Sequence, residues 1–115
     1  MQIVNIGTDI EEVKRFENLD IKTLCRLFTK EELDYCLKSK NKAQHLAVRF
    51  AAKEAVFKAL PFEEIALKKI EVIRKPGTKP QIVVYDERAN NLIFKLSLSH
   101  TKNNAVAFVL VLKDK

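Results

Sequence analysis

The feature that most restricts this fold is one unbroken segment. From Ala43 to Leu60 the chain has no glycine or proline and is rich in alanine and other strong helix formers, until Pro61 stops it. The segment is almost wholly Ala, Val, Phe and Leu apart from a few polar positions, and a helix apolar on most sides is usually buried. A chain of 115 residues suits a single domain, residues 1–115, and buries only about two-thirds of its unfolded surface. With 47% apolar residues it can build one core, and this helix belongs in it.

The flanking sequence sorts into helices before this segment and strands after it. Ile3 to Gly7 is a short β-branched run that reads as a strand. Thr8-Asp9 offers a cap for a helix carrying Ile10, Val13 and Phe16, and Asp20 to Phe28 spaces Ile21, Leu24, Leu27 and Phe28 as a second helix. Thr29 with Glu32 three residues on matches a capping box, stapled by Phe28 and Leu33, for a short helix ending in the polar run 38–42. Beyond Pro61, the runs Ile70–Arg74, Gln81–Tyr85, Leu92–Leu98 and Ala105–Leu112 are β-rich. Turn signals at Pro76-Gly77, 86–91 and 100–104 separate them. The expectation is an α+β domain: an N-terminal strand and helices, with the long central helix packed on a C-terminal antiparallel sheet.

Composition narrows the function classes. Lys and Arg number 21 against 15 Asp and Glu, a net charge of +6, which suits acidic partners. No apolar run approaches the roughly 20 residues that span a bilayer, and the N-terminus lacks the pattern of a signal peptide. Cys25 and Cys36 have no zinc-ligand spacing and read as two buried thiols in a reducing cytoplasm.

Three places carry candidate chemistry. Asp9, at the end of a strand, either caps a helix or holds a hard cation such as Mg²⁺, which prefers oxygen ligands. On the long helix, Glu54 and Lys58 share one face and Arg49 and Lys53 another. Glu54 and Lys58 form either a surface pair worth about 0.2–0.5 kcal/mol or part of a lined site. Ser97-Leu98-Ser99-His100-Thr101 leaves a strand for a polar turn; without a GxSxG elbow it reads as a hydrogen-bonding or phosphate-contacting segment, or an ordinary turn.

At these residues the chain resembles a known family. Ile6-Gly7-Thr8-Asp9-Ile10, the block R-F-A-x-K-E-A-x-x-K from Arg49 to Lys58 with Ala59-Leu60, and Leu98-Ser99-His100-Thr101 are similar to the three signature blocks of holo-acyl-carrier-protein synthases. These are the small stand-alone class of 4′-phosphopantetheinyl transferases, and the resemblance covers nearly the whole chain.

The resemblance implies transfer of the phosphopantetheine arm of coenzyme A to a serine of apo acyl carrier protein, with Mg²⁺, by a homotrimer with coenzyme A in clefts between subunits. It implies Asp9 and Glu54 as metal ligands, and Lys58 at the phosphates and leaving group. Ser99, His100 and Thr101 would reach the nucleotide from the adjacent subunit, His100 near the 3′-phosphate, with Arg49 and Lys53 at further phosphate or nucleotide contacts. Lys14, Arg15, Lys22 and Arg26 fall in the region that meets the carrier protein. The serine proton has two candidate acceptors, a water on the metal or Glu54. The chemistry suits these residue types, because phosphoryl transfer depends on positioning and charge neutralisation rather than covalent help.

The chain also departs from the family pattern. Pro61-Phe62-Glu63-Glu64 stands where a glycine loop is usual, and Pro61 has no N–H to offer a phosphate. Two rival readings are a catalytically silent module that binds carrier protein or coenzyme A, and a basic nucleic-acid-binding domain. The paired carboxylates with Lys58 argue against the first. The lack of a concentrated basic stripe argues against nucleic-acid binding, and the lack of an amphipathic basic helix against a membrane surface.

Overall fold

The computed structural model describes residues 1–114; Lys115, the last residue of the expected domain, lies outside the described residues. In chain order the elements are β1 (Gln2–Glu12), a 3-10 turn (Val13–Phe16), α1 (Ile21–Leu27), α2 (Lys30–Leu37) and α3 (Lys42–Ala59). Then come β2 (Ile70–Ile73), β3 (Gln81–Val84), β4 (Leu92–His100) and β5 (Asn104–Lys113). Three strands form an antiparallel sheet in the order β1-β5-β4, while β2 and β3 make a separate hairpin. The architecture is α+β, as expected, with α3 packed on the sheet.

Local signals account for most of the elements. Asp20 caps α1 by accepting from the Thr23 N–H, and Thr29 and Glu32 close a reciprocal capping box on α2. Leu60 turns to extended backbone just before Pro61, ending α3. In the β2–β3 hairpin Thr78 donates its N–H to Lys75 O, and Gly77 sits at φ 76° between them. Pro76 followed by a left-handed glycine is the chemistry of a type II turn.

Three expectations are corrected. Thr8-Asp9 caps no helix: β1 continues through Glu12, pairing Thr8 with Phe108 and Glu12 with Asn104 on β5, and only the 3-10 turn follows. Ile3 to Gly7 is the strand the sequence predicts, and its continuation is hidden there because the alternation is inverted. Ile6 and Ile10 face out and are exposed, whereas Gly7 and Glu11 are buried on the other face with Asp9 between them. Second, the N-terminal strand lies beside the C-terminal one, and the four late strands divide between two sheets. Third, of the two thiols only Cys36 is buried, its pKa pushed up to about 11 by desolvation; Cys25 is exposed.

The core has two lobes that share α3. Ala51, Ala55 and Ala59, one turn apart on α3, are fully buried with Val56 against Ala107, Val109 and Val111 of β5 and Ile70 of β2. Small side chains let the helix lie close on the sheet. On its other flank Phe16, Phe28 and Phe50 pack edge-on or tilted, with ring centres 5.3–6.5 Å apart, beside Leu24, Leu33 and Leu46.

Between these lobes sits a charged pair. Lys53 is fully buried, and its Nζ donates to Glu32 Oε1. Glu32 also accepts from the Thr29 and Val72 N–H groups, so one carboxylate ties α2, α3 and β2 together. Removing one partner of a buried pair strands the other charge, at about 3–5 kcal/mol. Lys53→Met is therefore expected to destabilise the protein by that amount in urea unfolding. An unchanged midpoint would show that the pair contributes nothing.

Candidate active site

Close approach of β1 to α3 builds the site. A Cβ on Gly7 would stand 2.0 Å from the carbonyl oxygen of Ala55 and 3.1 Å from the Ala59 Cβ. Glycine alone allows the strand to lie that near the helix, and two residues later Asp9 meets the helix's polar edge. Lys58 Nζ donates to Asp9 Oδ1 at 2.9 Å and to the Thr8 carbonyl at 3.1 Å. This bond raises the Lys58 pKa and keeps the ammonium charged.

Negative charge is crowded around this pair. Burial, then the charge of Asp9, raises the pKa of Glu54 on α3. Glu11, buried on the inner face of β1, is pushed up to about 7 by desolvation first and then by the neighbouring Asp9 carboxyl. The Asp9 side chain is 10% exposed, and its buried Oδ2 has no hydrogen-bond partner. An orphaned carboxylate oxygen beside further carboxylates fits a divalent, oxygen-seeking cation. Among the described residues no three His, Cys, Asp or Glu groups converge into a ready-made cage. Mg²⁺ needs none: it is usually held by one or two carboxylates together with substrate phosphates and water.

A second feature lies at the other end of α3. A cavity of about 420 Å³ is lined by His45, Arg49, Arg74, Lys79, Ser97 and His100 among others. Arg49 is buried, stacks 4.3 Å from the Tyr35 ring centre and donates to the His45 carbonyl. Its buried Nε has no partner. Burial, reinforced by the charge of Arg49, lowers the pKa of His45, so the arginines and lysine carry the positive field here.

Asp9, Glu54 and Lys58 are brought together, and Arg49 meets His100 at the cavity. Ser99 and Thr101 are exposed and do not line it; the Thr101 hydroxyl instead accepts from the Asn103 and Asn104 N–H groups and shapes the β4–β5 turn. Lys53 is corrected: sealed against Glu32, it has no exposed surface for a phosphate. Lys14 and Arg15 lie on the 3-10 turn rather than a helix, Lys22 and Arg26 on α1, and all four are exposed. Sequence reasoning missed Glu11, His45, Arg74 and Lys79. The polar-inward alternation of β1 was a signal for Glu11, but nothing local marks the other three. In the loop after Pro61, Glu64 takes the left-handed conformation, φ 61°, that glycine usually fills.

The chain belongs to the 4′-phosphopantetheinyl transferase superfamily, whose sequence pattern matches residues 5–109. Within it, the resemblance is to holo-[acyl-carrier-protein] synthases. That of Thermodesulfovibrio yellowstonii is 40% identical over 114 residues, covering 95% of this chain and 98% of its own. A holo-(acyl-carrier-protein) synthase from Bacillus anthracis, solved in complex with CoA (3′,5′-ADP), superposes with a TM-score of 0.86 at 34% identity, covering 99% of this chain and 100% of its own. The Helicobacter pylori synthase in complex with coenzyme A gives 0.80 at 29% identity over 93% and 99% of the two chains.

Proposed function

We propose that this protein transfers the 4′-phosphopantetheine group of coenzyme A to a serine of an apo acyl carrier protein, releasing adenosine 3′,5′-bisphosphate, as a step in fatty acid biosynthesis. The observation that carries this reading is the Asp9, Glu54 and Lys58 constellation assembled by Gly7, in a chain 34% identical to a synthase solved with coenzyme A.

The serine oxygen attacks the phosphorus that bears the pantetheine arm. That phosphorus leaves the bridging oxygen of the diphosphate, which departs with adenosine 3′,5′-bisphosphate, and the serine gives its proton to a water at the site or to the Glu54 carboxylate. Mg²⁺, when bound, would neutralise diphosphate charge and polarise the phosphorus. Asp9, through its free Oδ2, and Glu54 would hold the cation. Lys58 places a fixed positive charge beside them, suited to the charge that develops on the leaving group. At the cavity, Arg49, Arg74, Lys79 and His100 suit the phosphates of the nucleotide, Arg49 with a donor to spare. The exposed Lys14, Arg15, Lys22 and Arg26 suit an acidic carrier protein.

The cavity lining includes none of Asp9, Glu54 and Lys58, which is consistent with a site completed by a neighbouring chain. The outer face of the sheet exposes Ile6, Ile10, Val106 and Phe108, an apolar patch suited to another copy of the chain. Both features support a homotrimer whose sites form between subunits. No helix of the described residues is long and apolar enough to cross a membrane, and a cytoplasmic single-domain enzyme, residues 1–115, is the accompanying reading.

Intact mass spectrometry of an apo acyl carrier protein incubated with this protein, coenzyme A and Mg²⁺ tests the activity. One added phosphopantetheine, prevented by EDTA, is the expected result. No gain with several carrier proteins, from a folded sample that binds coenzyme A, would favour the silent-binder reading. Sedimentation equilibrium on the same sample reads the assembly, and a monomer mass would overturn the shared site.

A further inference from the structure

The β2–β3 hairpin brings Arg74 and Lys79 to the cavity, Arg74 just beyond β2 and Lys79 just before β3, yet its strands pair only with each other. A two-stranded hairpin holds its place poorly unless something else anchors it. Ile70 and Val72 bury one face of β2 in the core. Glu71, which alternation assigns to the opposite face, is only 5% exposed as well. It does not line the cavity, and the reaction above does not use it.

Two hydroxyls clasp this carboxylate. Thr29 donates to Oε2 and Tyr85 to Oε1, each at 2.5 Å. Thr29 is the cap of α2 and Tyr85 directly follows β3, so Glu71 ties both strands of the hairpin to a helix. The bond to Glu71 pushes the Tyr85 phenol up to about 12, which keeps it a donor at neutral pH. Beside the clasp the Val72 N–H, on the edge of β2 that meets no strand, donates to Glu32 Oε2 at 2.9 Å. Glu32 in turn holds Lys53, one turn along α3 from Arg49. These bonds fix the hairpin against α2 and α3, and with it the placement of Arg74 relative to Arg49. Apolar side chains could pack such a contact as stably as two buried carboxylates. What a satisfied polar network adds is one defined arrangement.

We propose that Glu71 is a positioning residue for the nucleotide phosphates: clasped by Thr29 and Tyr85, it fixes the hairpin so that Arg74 and Lys79 join Arg49 and His100 around one ligand. The proposal rests on the reading of the cavity as the nucleotide site. A hairpin free to rock has to be ordered by the ligand itself, and the apparent affinity falls by that cost. Asp9, Glu54 and Lys58 stand on β1 and α3, not on the hairpin. Loosening the clasp therefore weakens the hold on coenzyme A and spares the chemical step.

The test is calorimetric titration of coenzyme A into the full-length protein carrying Tyr85→Phe or Glu71→Gln, each alone and combined with Arg74→Ala and Lys79→Ala. Tyr85→Phe removes one clasp from a half-exposed ring. It is expected to weaken the Kd about three- to tenfold, the net worth of one hydrogen bond. Combined with Arg74→Ala and Lys79→Ala, the same change is expected to leave the Kd where those two put it, because no hairpin charge remains to misplace. Turnover by Tyr85→Phe is expected to show a raised KM for coenzyme A with wild-type kcat, a split that general loss of structure would not give. A wild-type Kd in both Tyr85→Phe and Glu71→Gln, or the same loss with and without Arg74 and Lys79, would overturn the proposal. Wild-type affinity in the Arg74→Ala, Lys79→Ala protein would instead remove the nucleotide reading of the cavity, and the proposal with it. Should Glu71→Gln not fold, Tyr85→Phe decides by the same comparisons.

Discussion

Asp9→Asn is expected to slow phosphopantetheine transfer by about 10²–10³-fold, the usual loss when one preorganised electrostatic group is removed from a reacting centre. The substitution isolates charge from shape. Asn can still accept the Lys58 hydrogen bond through its carbonyl, so β1 and α3 stay joined. What changes is the buried Oδ2 position, where a lone-pair acceptor either becomes an N–H₂ donor or loses its charge. A hard cation finds no ligand in an amide nitrogen. The rate is read from mass-resolved conversion of apo to holo carrier protein, with circular dichroism to show that the fold persists. Full turnover by Asp9→Asn would remove Asp9 from the cation site.

Gly7→Ala is expected to destabilise the protein by about 3 kcal/mol or more, at the upper end of overpacking costs, because the added methyl meets backbone. The Ala55 carbonyl oxygen would stand 2.0 Å from the new Cβ and its carbon 3.0 Å away, and a peptide group in mid-helix has no rotamer to yield. Either β1 lifts from α3 or the helix bends. Both movements part Asp9 from Glu54 and Lys58, so activity is expected to fall even where the fold survives. Gly77→Ala is the contrast: it has open space within 4 Å and only the left-handed φ to oppose it, a cost of about 1–2 kcal/mol without loss of activity. Chemical denaturation of both variants separates the cases. A Gly7→Ala protein as stable and active as wild type would show that β1 need not lie so near the helix.

Much of the fold was legible where the deciding interactions are local. Asp20, the Thr29–Glu32 box, the Pro61 stop and the Pro76-Gly77 turn each act within a few residues, so composition and spacing expose them. The second half of β1 was misread for the opposite reason. Its partner on β5 lies about a hundred residues away, and the ladder from Thr8–Phe108 to Glu12–Asn104 outweighs the helical spacing of Ile10, Val13 and Phe16. Lys53 follows the same rule. On the helix it reads as a free cation near Arg49; Glu32, 21 residues earlier, turns it into a structural tie.

The sequence by itself determined the long helix, its alanine face, the chemical inventory of carboxylates and cations, and the three blocks that mark the family, because these depend on residue type and short-range periodicity. Only the tertiary structure decided which charges work together. It joined Asp9 to Lys58 across 49 residues, gathered Arg74 and Lys79 beside Arg49 and His100, withdrew Lys53 into the core and turned Glu11 inward. The physical reason is burial. Whether a charge is a surface ornament, a structural tie or part of a reacting site depends on the water it has lost and the neighbours it has gained, and packing of distant segments sets both.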